Sequence, residues 1–297
     1  MFYTLAVLLF FLSSKEALTL RICSFNVRSF GVAKLENHKA MNVILKVITR
    51  CDVILLMEIK DNNNCIGPAL LQKLNRKSRR DKKEFNYVIS RRLGRSKYKE
   101  QYAFIYRENL VSVKNTYQVP DIQKGSRDAF SREPFVVRFF SPYTVVKDFV
   151  IVPLHTSPET SVLEIDKLVD VFRDVKQRWK LENFIFMGDF NADCSYVPKK
   201  SWKEIQLRTD PRFIWLTGDD LDTTVKESTN CAYDRIVIHG KSLKSAVVPN
   251  SVNVFNFQEV YRMNEEEALQ VSDHYPVEVE LKSSLSSKKN QPPKKKN

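Results

Sequence analysis

Glycine is scarce in this chain, at 7 of 297 residues, and no cluster of it forms a phosphate-cradling loop. That argues against a nucleoside-triphosphate enzyme. No internal repeat of roughly 20 to 50 residues appears, which excludes solenoids and propellers. Histidine occupies four positions, His38, His155, His239 and His274, and none shares zinc-ligand spacing with a cysteine. Zinc is therefore disfavoured. Acids are outnumbered by Lys+Arg, 35 to 48, for a formal charge of +13. That excess favours polyanionic partners such as nucleic acid or acidic membrane surfaces.

No apolar run reaches the roughly 20 residues that span a bilayer. Residues 1–12 are nonetheless almost wholly apolar, and Ser13 and Ser14 then lead to the small residues Ala17 and Thr19. This pattern predicts a signal peptide over residues 1–19, cleaved at Thr19 or Ala17, with a membrane anchor as the weaker alternative. The expected route is secretion through the endoplasmic reticulum. Residues 20–282 read as one folded domain. Residues 283–297 hold Lys288, Lys289, Lys294, Lys295 and Lys296 and no acid. Too poor in apolar side chains to fold, the tail is expected to be disordered. It either only solubilises the chain or adds a contact to DNA, an acidic lipid surface or an import receptor. Without its lysines the body remains basic.

Secretion permits disulfides, and five cysteines leave at least one unpaired. Cys194 and Cys231 each follow a polar segment, and the two segments would lie together in one site, so this pair is expected to bond. Cys23 and Cys51 stand in apolar, strand-like runs and read as buried free thiols.

Apolar runs at residues 22–27, 53–57, 102–106, 135–140, 149–154, 184–187, 235–238 and 277–281 read as core strands. Two amphipathic helices are expected. One carries Ala40, Val43, Ile44 and Val47 on a single face, the other Ile165, Leu168, Val169, Phe172 and Val175. Many strands with few long helices predict a one-domain α/β sandwich rather than a doubly wound array.

Polar residues cluster where these strands stop. Asn26 ends the first, Glu58 the second, and His155, Asp189 and Asn191 follow later ones. Asp273 and His274 precede the last. Singly each has a plain explanation, as turn, cap or satisfied core residue. Jointly they match phosphodiester hydrolysis, which needs a cation to neutralise the phosphate, a base for the water and an acid for the leaving oxygen. Asn26, Glu58, Asp189, Asn191 and Asp273 form an oxygen-rich set suited to Mg²⁺ or Mn²⁺.

Eight ordered motifs carry a resemblance. They are Ser24-Phe25-Asn26-Val27-Arg28-Ser29-Phe30-Gly31, Met57-Glu58-Ile59-Lys60-Asp61, Tyr98-Lys99-Glu100-Gln101-Tyr102 and Ser131-Arg132-Glu133-Pro134. Pro153-Leu154-His155, Gly188-Asp189-Phe190-Asn191, Asn230-Cys231-Ala232-Tyr233-Asp234-Arg235 and Ser272-Asp273-His274-Tyr275-Pro276 complete the set. From Leu20 to about Leu281 the chain resembles the deoxyribonuclease I family, within the endonuclease/exonuclease/phosphatase fold. The resemblance implies an α/β fold of two packed, mostly antiparallel β-sheets flanked by helices, a four-layer sandwich. It implies hydrolysis of double-stranded DNA to 5'-phosphate ends, with Glu100–His155 and Asp234–His274 as acid and base pairs. Arg28, Tyr98, Arg132 and Tyr233 would line the DNA. Structural Ca²⁺ would bind at Asp121, Asp128, Phe130 and Glu133, with a second site at Asp222 and Thr224.

Lys124-Gly125-Ser126-Arg127 stands where the family has a small disulfide loop, and no Asn-x-Ser/Thr acceptor occurs. With the lysine tail, these departures resemble a secreted branch of the family that acts on chromatin from dying cells and on lipid-coated DNA. Lys34, Lys39, Lys46 and Arg50, and the run 73–83, resemble import signals, which implies nuclear entry during cell death. For the first group a solvated helix face is the favoured reading. The family's actin-binding edge maps to Tyr87, Val88 and Ile89, but the basic Arg91 and Arg92 that follow argue against tight actin binding. The chain is expected to be a monomer. Two readings compete: a sphingomyelinase-like phospholipid phosphodiesterase on the same fold, and a non-catalytic polyanion-binding protein. Arg28, Tyr98 and Arg132 weigh against the first, and the intact acid–histidine pairs against the second.

Overall fold

A computed structural model describes residues 19–76, 84–121 and 129–284. The expected leader up to residue 18, most of the basic run 73–83, Asp128, and the tail from residue 285 lie outside these residues. Along the chain run β1 (Leu20–Phe30), β2 (Val53–Ile59), β3 (Phe85–Ile89), β4 (Gln101–Arg107), β5 (Ser112–Gln118), β6 (Phe135–Phe140) and β7 (Asp148–His155). β8 (Phe184–Asp189), β9 (Phe213–Trp215), β10 (Asp234–His239), β11 (Asn253–Val254) and β12 (Val277–Leu281) follow. The helices are α1 (Val32–Glu36), α2 (His38–Thr49), α3 (Ile66–Asn75), α4 (Ser161–Trp179), α5 (Gln206–Thr209), α6 (Lys241–Ala246), α7 (Phe257–Val260) and α8 (Glu265–Val271).

The strands form two six-stranded sheets, β11-β12-β1-β2-β4-β3 and β5-β6-β7-β8-β10-β9. Each sheet holds one parallel pair, β1 with β2 and β7 with β8, and the other neighbours are antiparallel. A parallel pair needs a crossover, and α2 and α4 supply the two. This geometry places the chemistry. The C-terminal ends of the parallel strands carry Asn26, Glu58, His155 and Asp189. Their antiparallel partners begin at the same edge, next to Glu100, at Asp234, and just after Asp273 and His274.

Strands buried on both faces read as continuous apolar runs, and the layers explain why. Val53, Leu55, Met57, Phe104, Phe139, Ile185 and Ile236 pack between the sheets. Phe25, Ile54 and Leu56 face α2 and α3 on one outer side. Val150, Val152, Phe172 of α4 and Phe184 fill the other. The expected α/β sandwich of two helix-flanked sheets is the observed one. Among the described residues, no helix is long and apolar enough to cross a membrane.

Two disulfides are present. Cys194–Cys231 is the expected one. Cys23–Cys51 corrects the reading of both as free thiols, and Cys65 is the free cysteine. Strand alternation turns Cys23 outward toward α2, and Cys51 follows that helix directly, so the Cα atoms stand 6.1 Å apart, within disulfide reach.

Candidate active site

Bulges aim the first wall of the site. Pairing of β1 with β2 shifts register between Asn26 and Phe30. Arg28, Ser29 and Glu58 take left-handed φ angles of 33°, 52° and 59°. Non-glycine residues adopt that region only when their surroundings hold them there. Here the Glu58 carboxylate does so, accepting from Ser29 N at 2.7 Å and from Asn26 Nδ2 at 3.1 Å. Asn26 Nδ2 also donates to Asp189 Oδ2 at 3.0 Å, so Asn26 bridges the two acids. Its Oδ1 accepts from Arg28 N at 2.9 Å.

The second wall is a register row. His155 pairs with Asp189, and Asp189 with Asp234, across three neighbouring strands, so all three side chains share one face. Gly188 permits this approach. At φ 144° its added Cβ would lie 2.0 Å from Leu154 O. Glu100 Oε2 is 3.0 Å from His155 Nδ1, and Asp234 Oδ2 is 2.7 Å from His274 Nδ1. Both rings then turn Nε2 toward one atom, Asp189 Oδ2, at 3.6 Å from His155 and 3.5 Å from His274. A carboxylate on Nδ1 fixes the tautomer and leaves Nε2 to exchange protons.

Charge tunes these groups. Burial pushes the Glu100 carboxyl up, but the hydrogen bond and charge of His155, with Arg132, outweigh it and hold Glu100 at about 2. Burial pulls both imidazoles down. Glu100 and Asp189 nevertheless keep His155 raised, and Asp234 and Asp189 hold His274 well above its ordinary value.

The oxygens fit a hard dication. Asp273 Oδ1 is buried without a hydrogen-bond partner, so it calls for a positive charge. Glu58 and Asp189 lie on either side of Asn26. Asn191 N donates to Asp189 Oδ1, while its Nδ2 donates to Thr156. Ligand atoms of Asp189, Asp234 and His274 also lie within 4.8 Å of one another. The Asp234–His274 hydrogen bond accounts for much of that closeness, and Asp189 is the acid shared with the Asn26–Glu58 wall.

The expected DNA-lining residues divide. Tyr98 is exposed, with Lys60 Nζ 4.1 Å from its ring centre. Arg28 is half exposed, 3.5 Å from Asp273. Tyr233 stacks on Tyr196 at 5.3 Å, beside His274. Arg132 instead turns inward. It pairs with Glu100 at 2.6 Å and donates to the carbonyls of His155 and Thr156. A cavity of about 260 Å³ beside Arg132 is lined by Tyr98, Arg95, Ser131 and Thr160.

At the first expected calcium site, Arg91 pairs with Asp121 and lies 3.7 Å from Glu133, and Phe130 is buried nearby in sequence. A guanidinium already supplies positive charge there. At the second, Asp222 Oδ1 accepts from Thr224 N, Thr224 Oγ1 and Cys231 N. Tyr87, Val88 and Ile89 are half-buried in β3, and Gly67 makes room for the Tyr87 ring. His239 accounts for a structural histidine, bonded to Glu182 O and packed on Phe172.

Three supporting residues were given no role by the sequence, although Tyr102 and Ser272 lie inside two of the quoted motifs. Tyr102 OH accepts from His155 N at 2.9 Å and donates to Arg132 O at 3.3 Å. Ser272 Oγ donates to Asn26 O at 2.6 Å. Glu164 is fully buried in α4 and accepts from Ser131 N, Ser131 Oγ, Ser157 N and Thr160 Oγ1.

A sandwich of this topology with polar ligands at one edge defines a class. Residues 23–274 match the endonuclease/exonuclease/phosphatase family, and the chain belongs to it. Within it, deoxyribonuclease gamma of Homo sapiens is 68% identical over 94% of this chain and 91% of its own length. Deoxyribonuclease-1 of Rattus norvegicus is 49% identical over 90% of this chain and 93% of its own. Among solved structures, the human Nocturnin catalytic domain with bound sulfate covers 90% of this chain and 96% of its own, with TM-score 0.60 at 14% identity. That likeness is one of fold.

Proposed function

We propose that this chain is a secreted, divalent-metal-dependent endonuclease that hydrolyses phosphodiester bonds of double-stranded DNA. The observation that carries the reading is the convergence of two carboxylate-held imidazoles on Asp189 Oδ2. Identity of 68% to a deoxyribonuclease gamma supports DNA as substrate. One imidazole takes the proton of the attacking water at Nε2 while the other protonates the leaving oxygen, leaving 5'-phosphate ends. Mg²⁺ or Mn²⁺ held by Glu58, Asp189, Asn191 and Asp273, with Asn26 orienting the acids, would neutralise charge on the phosphate. Arg28, Tyr98 and Tyr233 line the approach of the duplex, and Arg132 holds Glu100.

Residues 1–19 direct secretion, and calcium at Asp222 and Thr224 steadies the loop ahead of Asp234. The basic tail extends activity to chromatin and lipid-coated DNA by competing for anionic groups, an effect that salt screens. The protein works as a monomer and binds actin weakly. Purified protein with Mg²⁺ and Ca²⁺ is expected to nick supercoiled plasmid and leave sphingomyelin intact. Lipid cleavage without nicking would overturn the reading.

A further inference from the structure

Lys34 stands on the short helix α1, in a group of basic residues that suits a solvated face. The structure turns it inward. Its ammonium donates to Val27 O at 2.8 Å, Arg28 O at 2.5 Å and Val271 O at 2.8 Å. An ammonium has three protons, and each finds a carbonyl. Two of the carbonyls belong to the β1 bulge, between Asn26 and the Ser29 amide that holds Glu58. The third ends α8, where the chain passes directly into Ser272, Asp273 and His274. Carbonyls at a helix C-terminus lack intrahelical partners and favour a cation.

We infer that Lys34 is a positioning residue that sets the gap between the Asn26–Glu58 wall and the Asp273–His274 wall. Ser272 Oγ to Asn26 O, at 2.6 Å, is the second tie between the same segments. Lys34 touches neither reacting atoms nor substrate in this role. It fixes backbone whose side chains would ligate the dication, so the inference rests on the metal reading above.

The test uses full-length protein and the variants K34M and K34R. Mn²⁺ binding to DNA-free protein is followed by electron paramagnetic resonance, beside the Mg²⁺ dependence of plasmid nicking and the circular dichroism spectrum. Loss of an outer support for metal ligands costs about 10- to 100-fold in metal affinity. K34M is therefore expected to bind Mn²⁺ at least about tenfold more weakly. Its nicking curve should move to higher Mg²⁺ by a similar factor, with near-normal rate at saturation. K34R, which keeps the charge and donors, should recover part of the shift. If K34M does not fold, a smaller shift of the same kind in K34R carries the inference. Wild-type Mn²⁺ affinity in a folded K34M, or in K34R where K34M does not fold, would overturn it. Failure of the wild type itself to bind Mn²⁺ would overturn the metal reading, and is told apart because it needs no variant.

Discussion

His155 and His274 face one another across a single carboxylate oxygen. Each presents Nε2 to Asp189 Oδ2, at 3.6 and 3.5 Å, from opposite flanks. The arrangement is symmetric in parts: each ring is backed at Nδ1 by a buried acid, Glu100 or Asp234. Two such groups bracketing one point can deliver and remove protons in the same turnover, which hydrolysis of a phosphodiester requires.

Acid stability should depend on Glu100. Its carboxyl sits at about 2 against an ordinary 4.5. A depressed carboxyl stabilises the folded state fully above the unfolded value, and that contribution is lost as pH falls through the folded one. Melting temperature should therefore drop between about pH 4.5 and 2. In E100Q that part of the profile should be flatter. An identical pH profile in E100Q would contradict the assignment.

Gly188 should tolerate no side chain. A methyl group there meets Leu154 O at 2.0 Å with φ already at 144°. G188A is expected to lose about 3 kcal/mol or more, from backbone strain and separation of β7 from β8. Urea denaturation of the variant measures this. Wild-type stability would show that the two strands are free to move apart.

The Cys23–Cys51 bridge closes a loop with a sequence separation of 28. Chain entropy for such a loop is worth about 3 to 4 kcal/mol. The double variant C23A/C51A should fall by that order in urea. Alkylation of unreduced, denatured protein should label Cys65 alone, read by peptide mass spectrometry.

Any calcium at Asp121 and Glu133 would have to compete with Arg91. R91Q should therefore gain a larger calcium-induced rise in melting temperature than the wild type. Equal rises in the two proteins would show that Arg91 does not oppose calcium there.

Strands buried on both faces were legible because they are unbroken apolar runs, and so were the acids and histidines that end them. Edge strands such as β5 and β11 were not, since exposed residues like Lys114 and Asn115 carry no apolar period. The register shifts of β1 on β2 and of β2 on β4 could not be read. Arg28, Ser29 and Glu58 hold left-handed backbone without glycine, and tertiary hydrogen bonds impose it. Arg132 was expected at the DNA from the family resemblance, and no pattern in the sequence showed that it also pairs with Glu100. Cys23 and Cys51 looked like core residues, and their bond depends on where α2 ends. Lys34 showed a basic face in sequence, while one of its carbonyl partners, Val271, lies 237 residues away.

Hydrolysis of DNA should require His155 and His274 together. Nicking of supercoiled plasmid in Mg²⁺ by H155A and H274A, with folding checked by circular dichroism, tests it most directly. Each variant should lose about 10²- to 10⁴-fold in rate while remaining folded. Nicking at the wild-type rate by either folded variant would remove that histidine from the chemistry.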